Sequence, residues 1–341
     1  MALLSSLRKL LSGSPASPVA TAASGNATPA PARRAAAAES PAGVLPQAAG
    51  GLGLAFSQRL LGLEALRPGE LEPSEQALLT RLQAQLQDGR AWMDSLPRLP
   101  ALLPQLMSLA RREDVSAREL VALLSRDPSL VGELLRLANS PRYRSGREIT
   151  DLQSAVMVLG QQGLNQLVMS VALRPIYSQS QGRFARQAGT LPWDMSERCA
   201  QACVLLAGAG QDGFAAYLCG LSAQVGLMAL LRMLDAQPGL RRAPAAEAFH
   251  RQWLLLAAHG SAQVAQHWGL PPLVCAALAE PPRSAQATVL AQLLQQGQAL
   301  ALQQLLHPGQ EALAQTGGWS STQLRCLAEL ERQFPAAHPA D

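Results

Sequence analysis

The chain has 341 residues, 48% of them hydrophobic and 15% charged, enough apolar material to fill a sizeable core. Most of its net charge of +4 sits in the first 50 residues, where Arg8, Lys9, Arg33 and Arg34 face only Glu39, so the remainder is nearly neutral. With no Lys/Arg run interleaved with aromatics, a pI near 9.0 does not amount to a basic face, and the composition argues against nucleic acid as a partner.

In chain order, residues 1–11 place Leu3, Leu4, Leu7, Leu10 and Leu11 opposite Ser5, Ser6, Arg8 and Lys9. That is the pattern of a short amphipathic helix able to touch a membrane surface or a partner; a helix this short is marginal alone, and a frayed terminus is the alternative. Residues 12–50 are almost wholly Ala, Pro, Ser, Gly and Thr, with Val19, Val44 and Leu45 as the only large aliphatics, and are read as a disordered tether. Residues 51–90 predict accessory helices, first around Leu60 to Leu66 and then, after Ser74 as N-cap, with Leu78, Leu79, Leu82 and Leu86 on one face until Gly89.

Residues 91–300 repeat helical periodicity almost without pause. Leu99, Leu102, Leu103, Leu106 and Leu109 form one stripe. Ser116 and Glu119 make a capping box, Asp127-Pro128 opens the following helix, and Thr150 with Gln153 caps one that stops at Gly160. Further helices are predicted from Trp193 to Ala207, Phe214 to Leu234, Ala245 to Ala258, Ser261 to Trp268 and Ser284 to Leu306, and residues 301–341 hold C-terminal helices, including Ser321 to Phe334, and a tail. No alternating strand pattern is evident, and the short loops favour one all-α bundle.

Cys199, Cys203, Cys219, Cys275 and Cys326 are odd in number, lack C-x-x-C spacing and sit in apolar stretches, so they read as reduced core residues of a cytoplasmic protein. No secretory leader and no uninterrupted apolar run approaching the ~20 residues of a membrane span are read from the sequence.

Several spaced motifs agree in order: Leu96-Pro97-Arg98-Leu99-Pro100, Leu123-Leu124-Ser125-Arg126-Asp127-Pro128, and Leu134 through Asn139-Ser140. Together with Ile149, Ala155, Leu159-Gly160, Trp193, Gly220-Leu221, Gly226 and Trp268-Gly269-Leu270-Pro271, they resemble the HDOD family, the HD-related output domain of bacterial signalling proteins. The resemblance implies a compact helical bundle akin to the HD phosphohydrolase fold and a role in signal transduction or gene regulation. Each motif residue also has a plain structural meaning as helix start, exit or stop. The functional alternative is that Asp127, Asn139 and Ser140 present polar groups to a partner or ligand.

Related HD phosphohydrolases hold a divalent metal with histidines and an adjacent His-Asp pair, because phosphoryl chemistry needs a cation to polarise oxygen and activate water. No His-Asp dipeptide occurs here, and the family pattern falls on Gly220 to Gly226, so Ala223 and Gln224 stand at the ligand positions. Met195 stands where an upstream histidine is expected, and Ala257 and Pro281 where later ones are. His259 and His267 are eight apart, but Gly260-Ser261 is expected to break the helix between them, while His250, His307 and His338 are expected to be exposed or in loops. No cofactor or metal is expected. The reading is a non-catalytic regulatory module that binds a protein partner or a small signalling molecule. Two alternatives are a metal-dependent nucleotide phosphohydrolase with an atypical site, and a scaffold that forms homo-oligomers through Leu78 to Leu86.

Overall fold

A computed structural model describes residues 49–88, 117–125, 128–140, 143, 148–178, 182–281, 287–309 and 318–335. The readings placed on residues 1–48, on the Leu99 to Leu109 stripe, on Ser116 and on Asp127 lie outside the described residues.

Helix α1 (Ala49–Leu60) opens two residues inside the segment read as tether and turns Leu52, Phe56 and Leu60, four apart, into the core. Helix α2 (Pro73–Gln87) is capped two residues earlier than expected. Pro73 takes the first helical position and Glu72 the cap, in a reciprocal box with Glu75, so Ser74 lies within the first turn. Leu78, Leu79, Leu82 and Leu86 are all buried, each contributing about 2 kcal/mol of apolar burial. The face offered for self-association is thus already covered by the chain itself.

Helices α3 (Ala117–Leu124) and α4 (Pro128–Ala138) pack with the first part of α5 (Leu152–Ser178) around Leu124, Leu134, Ala138, Ala155, Leu164 and Leu167, a second and smaller core. The cap of α5 falls on Asp151, between the two residues chosen from sequence, where its carboxylate accepts the Ser154 N–H at 2.7 Å. The expected stop at Gly160 is met: Gly160 takes φ 70°, ψ 172°, the chain bends by 119° there, and a second helical stretch runs on to Ser178.

The larger core gathers α1 and α2 with α6 (Arg183–Ala188), α7 (Leu191–Ala207), α8 (Gly213–Ser222), α9 (Val225–Asp235), α10 (Glu247–His267), α11 (Pro272–Ala279), α12 (Val289–Leu306) and α13 (Ser321–Gln333). Two predictions change here. The single helix expected from Phe214 to Leu234 is two, broken at Ala223-Gln224, and the two expected from Ala245 to Trp268 are one that runs straight through Gly260. A glycine inside a helix costs about 1 kcal/mol, and here it allows close approach: the Gly226 Cα lies 3.3 Å from where a Gly260 Cβ would stand. The stretch Gly213–Asp235 has the length and hydropathy of a membrane span, yet 89% of its most apolar window is buried within the bundle. Among the described residues there is no strand, only an isolated bridge in which Arg67 N–H donates to Ala245 at 2.7 Å and Glu247 N–H to Arg67 at 2.9 Å.

Candidate functional site

Two of the positions at which the family resemblance places metal ligands, Ala223 and Gln224, form the junction between α8 and α9, and a third, Ala257, packs against it from α10. Ala223 ends α8 and is buried; Gln224 begins α9 and makes no side-chain cap. The chain needs Gly226 two residues on, because a Cβ there would collide with the Ala257 carbonyl oxygen and the Ser261 amide of α10. Ser261 fills the space between the helices. Its hydroxyl donates to the Ala223 carbonyl at 2.7 Å and accepts the Gly226 N–H at 2.9 Å, which satisfies the backbone groups freed by the helix break.

The remaining cavity beside Ala223 and Ser261 is about 60 Å³, against roughly 300–1,000 Å³ for sites that enclose small ligands. Its single carboxylate, Glu280, accepts the Thr288 N–H at 2.8 Å. Met195 is 1% exposed inside α7, Ala257 is buried on α10, and Pro281 follows α11 at the surface. Among the described residues no three His, Cys, Asp or Glu side chains gather at metal-binding distance. The residues present do not fit a divalent metal at this junction.

Their surroundings keep the Cys199, Cys219 and Cys326 thiols protonated. Hydrogen bonding with Cys203 and burial hold the Cys199 thiol well above its ordinary range, and burial pushes Cys326 up to about 12.

Of the polar helix-end residues proposed for recognition, Asn139 is occupied internally. Its amide donates to Leu135 at 2.9 Å and Ile149 at 2.7 Å and accepts the Ile149 N–H at 2.8 Å, which pins the chain entering α5 to the end of α4. The Ser140 hydroxyl is buried without a partner among the described residues. The structure does not bring either residue to the α8–α9 junction.

A buried polar network that the sequence reading missed lies under α2. His250, expected to be exposed, has no accessible surface; Ser57 of α1 bonds its Nδ1 and the Pro244 carbonyl lies 3.0 Å from its Nε2. The carbonyl can only accept, so Nε2 carries the proton and Nδ1 accepts from Ser57. Burial lowers the His250 pKa against the opposing pull of the Pro244 carbonyl and Glu75. The signal for this burial was present in Phe249 and Trp253, which flank His250 on the same helical face and are fully buried.

Glu75 holds the same loop from α2. Its Oε1 accepts the Ala245 and Ala246 N–H groups, each at 2.9 Å, and its Oε2 accepts the Glu72 N–H at 2.9 Å and the Arg67 guanidinium at 2.7 Å. Between this wall and the 237–245 loop lies a cleft of about 460 Å³.

Residues 96–282, more than half of the chain, match the model of the HDOD domain. A crystal structure of an HDOD domain protein with unknown function from Geobacter sulfurreducens is similar with a TM-score of 0.51 at 20% identity, covering 77% of this chain and 90% of that one. A proposed metal-dependent phosphohydrolase from Shewanella amazonensis SB2B gives 0.54 at 20% identity, covering 77% and 99%. At that identity the likeness establishes the fold alone. Among curated proteins, an uncharacterized protein of Treponema pallidum (strain Nichols) is 35% identical over 96 residues, which are 28% of this chain and 18% of that protein. The chain thus spans less than a fifth of that relative's length.

Proposed function

The chain belongs to the HDOD family, and from that premise we propose that it is a signal-transduction module that binds a partner or small signalling molecule without turning it over. The observation that carries the reading is Ser261 at the α8–α9 junction. Where an HD-type hydrolase needs imidazole and carboxylate donors around a cation, this chain places Ala223 and Gln224, and a serine hydroxyl bonds the two helix ends to each other. A hydrolase at this point would need donors, room for water and room for a phosphoryl group. The neighbouring space of about 60 Å³ offers one carboxylate, Glu280, and room for water but not for a phosphoryl group with its cation.

The test is metal content and turnover measured on the same full-chain preparation. After dialysis against Mg²⁺ or Mn²⁺, less than stoichiometric metal by mass spectrometry and no hydrolysis of cyclic or linear nucleotides above buffer are expected. Bound metal at one equivalent together with phosphate release would overturn the reading in favour of an atypical phosphohydrolase.

A further inference from the structure

The cleft of about 460 Å³ between α2 and the 237–245 loop has a composition that the non-catalytic reading does not explain. Arg67, Arg81 and Arg242 line it, with Ser74, Gln237 and Leu240. Both carboxylates in its wall are committed to Arg67: Glu75 at 2.7 Å and Glu72 at 3.3 Å. Glu75 is also saturated by three backbone N–H groups, so it has little capacity left for another cation. The guanidiniums of Arg81 and Arg242 line the cleft and pair with no carboxylate among the described residues.

Two guanidiniums beside one hydroxyl and one carboxamide, in a cleft with Leu240 and Pro238 for an apolar wall, match an anion carrying an apolar body. The volume falls within the roughly 300–1,000 Å³ range of small-ligand sites. We propose that this cleft binds a phosphorylated small molecule of nucleotide size, with Arg81 and Arg242 on the phosphate and the Leu240–Pro238 wall against the organic body. The walls are preset: Glu75 fixes the Ala245-Ala246 backbone from one side and His250, through the Pro244 carbonyl, from the other. One wall, Arg67 to Arg81, lies outside the 96–282 segment that matches the family, so the site belongs to this chain's own N-terminal helices packed on the shared bundle.

Isothermal titration calorimetry of the full chain with adenosine diphosphate, guanosine diphosphate and pyrophosphate tests the proposal. At least one nucleoside diphosphate should bind more tightly than pyrophosphate, because only the nucleotide uses the apolar wall. Arg81→Gln and Arg242→Gln should each weaken it about tenfold, the loss expected for one charge-assisted contact. Both residues are exposed, so the variants should keep the wild-type helical spectrum and melting temperature. Arg325→Gln, on the exposed surface of α13, should leave binding unchanged. No heat with any probe at millimolar concentration, or binding undiminished in the Arg81→Gln/Arg242→Gln double variant, would overturn the site. Phosphate release in the same samples would instead count against the non-catalytic reading and leave the cleft standing.

Discussion

Replacing Glu75 by alanine removes one acceptor from four donors at once. Ala246 has no accessible surface, so its N–H would be stranded in apolar surroundings at a cost of about 1–3 kcal/mol. The half-buried Ala245 N–H adds about 1 kcal/mol, while the Glu72 N–H can turn to water. The Arg67 side chain is 39% exposed, so solvent screens its ion pair to below about 1 kcal/mol. The total is about 2–5 kcal/mol, a large part of the roughly 5–15 kcal/mol that holds a domain together. Urea denaturation followed by helical circular dichroism at pH 7 measures it. Glu75→Gln keeps the volume and one acceptor oxygen but turns N–H groups toward Arg67 and the Glu72 amide, and should cost about half as much. Burial by itself would push the Glu75 carboxyl up, yet the three amides and Arg67 outweigh it and hold the carboxyl below its ordinary value of 4.5. A carboxyl lowered on folding stabilises above its unfolded pKa and loses that contribution as pH falls through the folded one. The gap between wild type and Glu75→Gln should therefore shrink below about pH 4.5. A loss under about 1 kcal/mol for Glu75→Ala, or a gap that widens on acidification, would refute the reasoning.

Two glycines should respond in opposite directions. Gly226→Ala drives a methyl into the α10 backbone and should cost about 3 kcal/mol, whereas Gly132→Ala, inside α4 with nothing within 4 Å, should gain about 0.5–1 kcal/mol; paired thermal melts decide. Ser222→Ala removes a buried hydroxyl that has no partner, so its melting temperature should match wild type or exceed it. His250 is held neutral, with a folded pKa below its ordinary 6.5, so the unfolded chain takes up protons first as pH drops. Stability should be level above about pH 6.5 and decline below it until the folded pKa is reached, and His250→Asn should flatten that decline in urea midpoints taken from pH 7.5 to 5.5.

The helical class, the elements around Trp193 and Ser321, and the family were legible because apolar periodicity and turn chemistry are local. The stop at Gly160 was legible too, but the break and the continuity among α8, α9 and α10 were not. A sequence shows Gly260-Ser261 as a glycine and a helix-indifferent polar residue, and nothing local reveals that Gly226 of another helix presses against them. The break at Ala223-Gln224 is equally hidden, because the group that satisfies it, Ser261, lies 38 residues along the chain. Cap choice erred by one or two residues where several candidates were adjacent, as at Glu72 and Asp151. That Ala223 offers no donor atom and Met195 only a soft thioether could be read directly, since residue identity fixes which atoms are present. The 237–245 cleft could not, because it is joined from segments more than 150 residues apart.

The same long-range packing reverses what the Leu78 to Leu86 stripe suggested about assembly. As a sequence pattern it invited association between chains. In the fold it is spent against α10, with Leu86 lying 3.7 Å from where a Gly260 Cβ would stand. Residues 49–88 bury Leu52, Phe56, Leu60, Leu61 and the four leucines of α2, and at about 1.5–3 kcal/mol each their loss is as large as or larger than the whole stability expected of a domain. Deleting residues 1–88 should therefore create an association-prone surface and not remove one. Light scattering should find the intact chain smaller and more uniform than the shortened one, which should aggregate or fail to fold. A shortened chain that stays monomeric and melts as wild type would show that residues 49–88 are dispensable to the bundle, and would take one wall of the Arg81–Arg242 cleft with them.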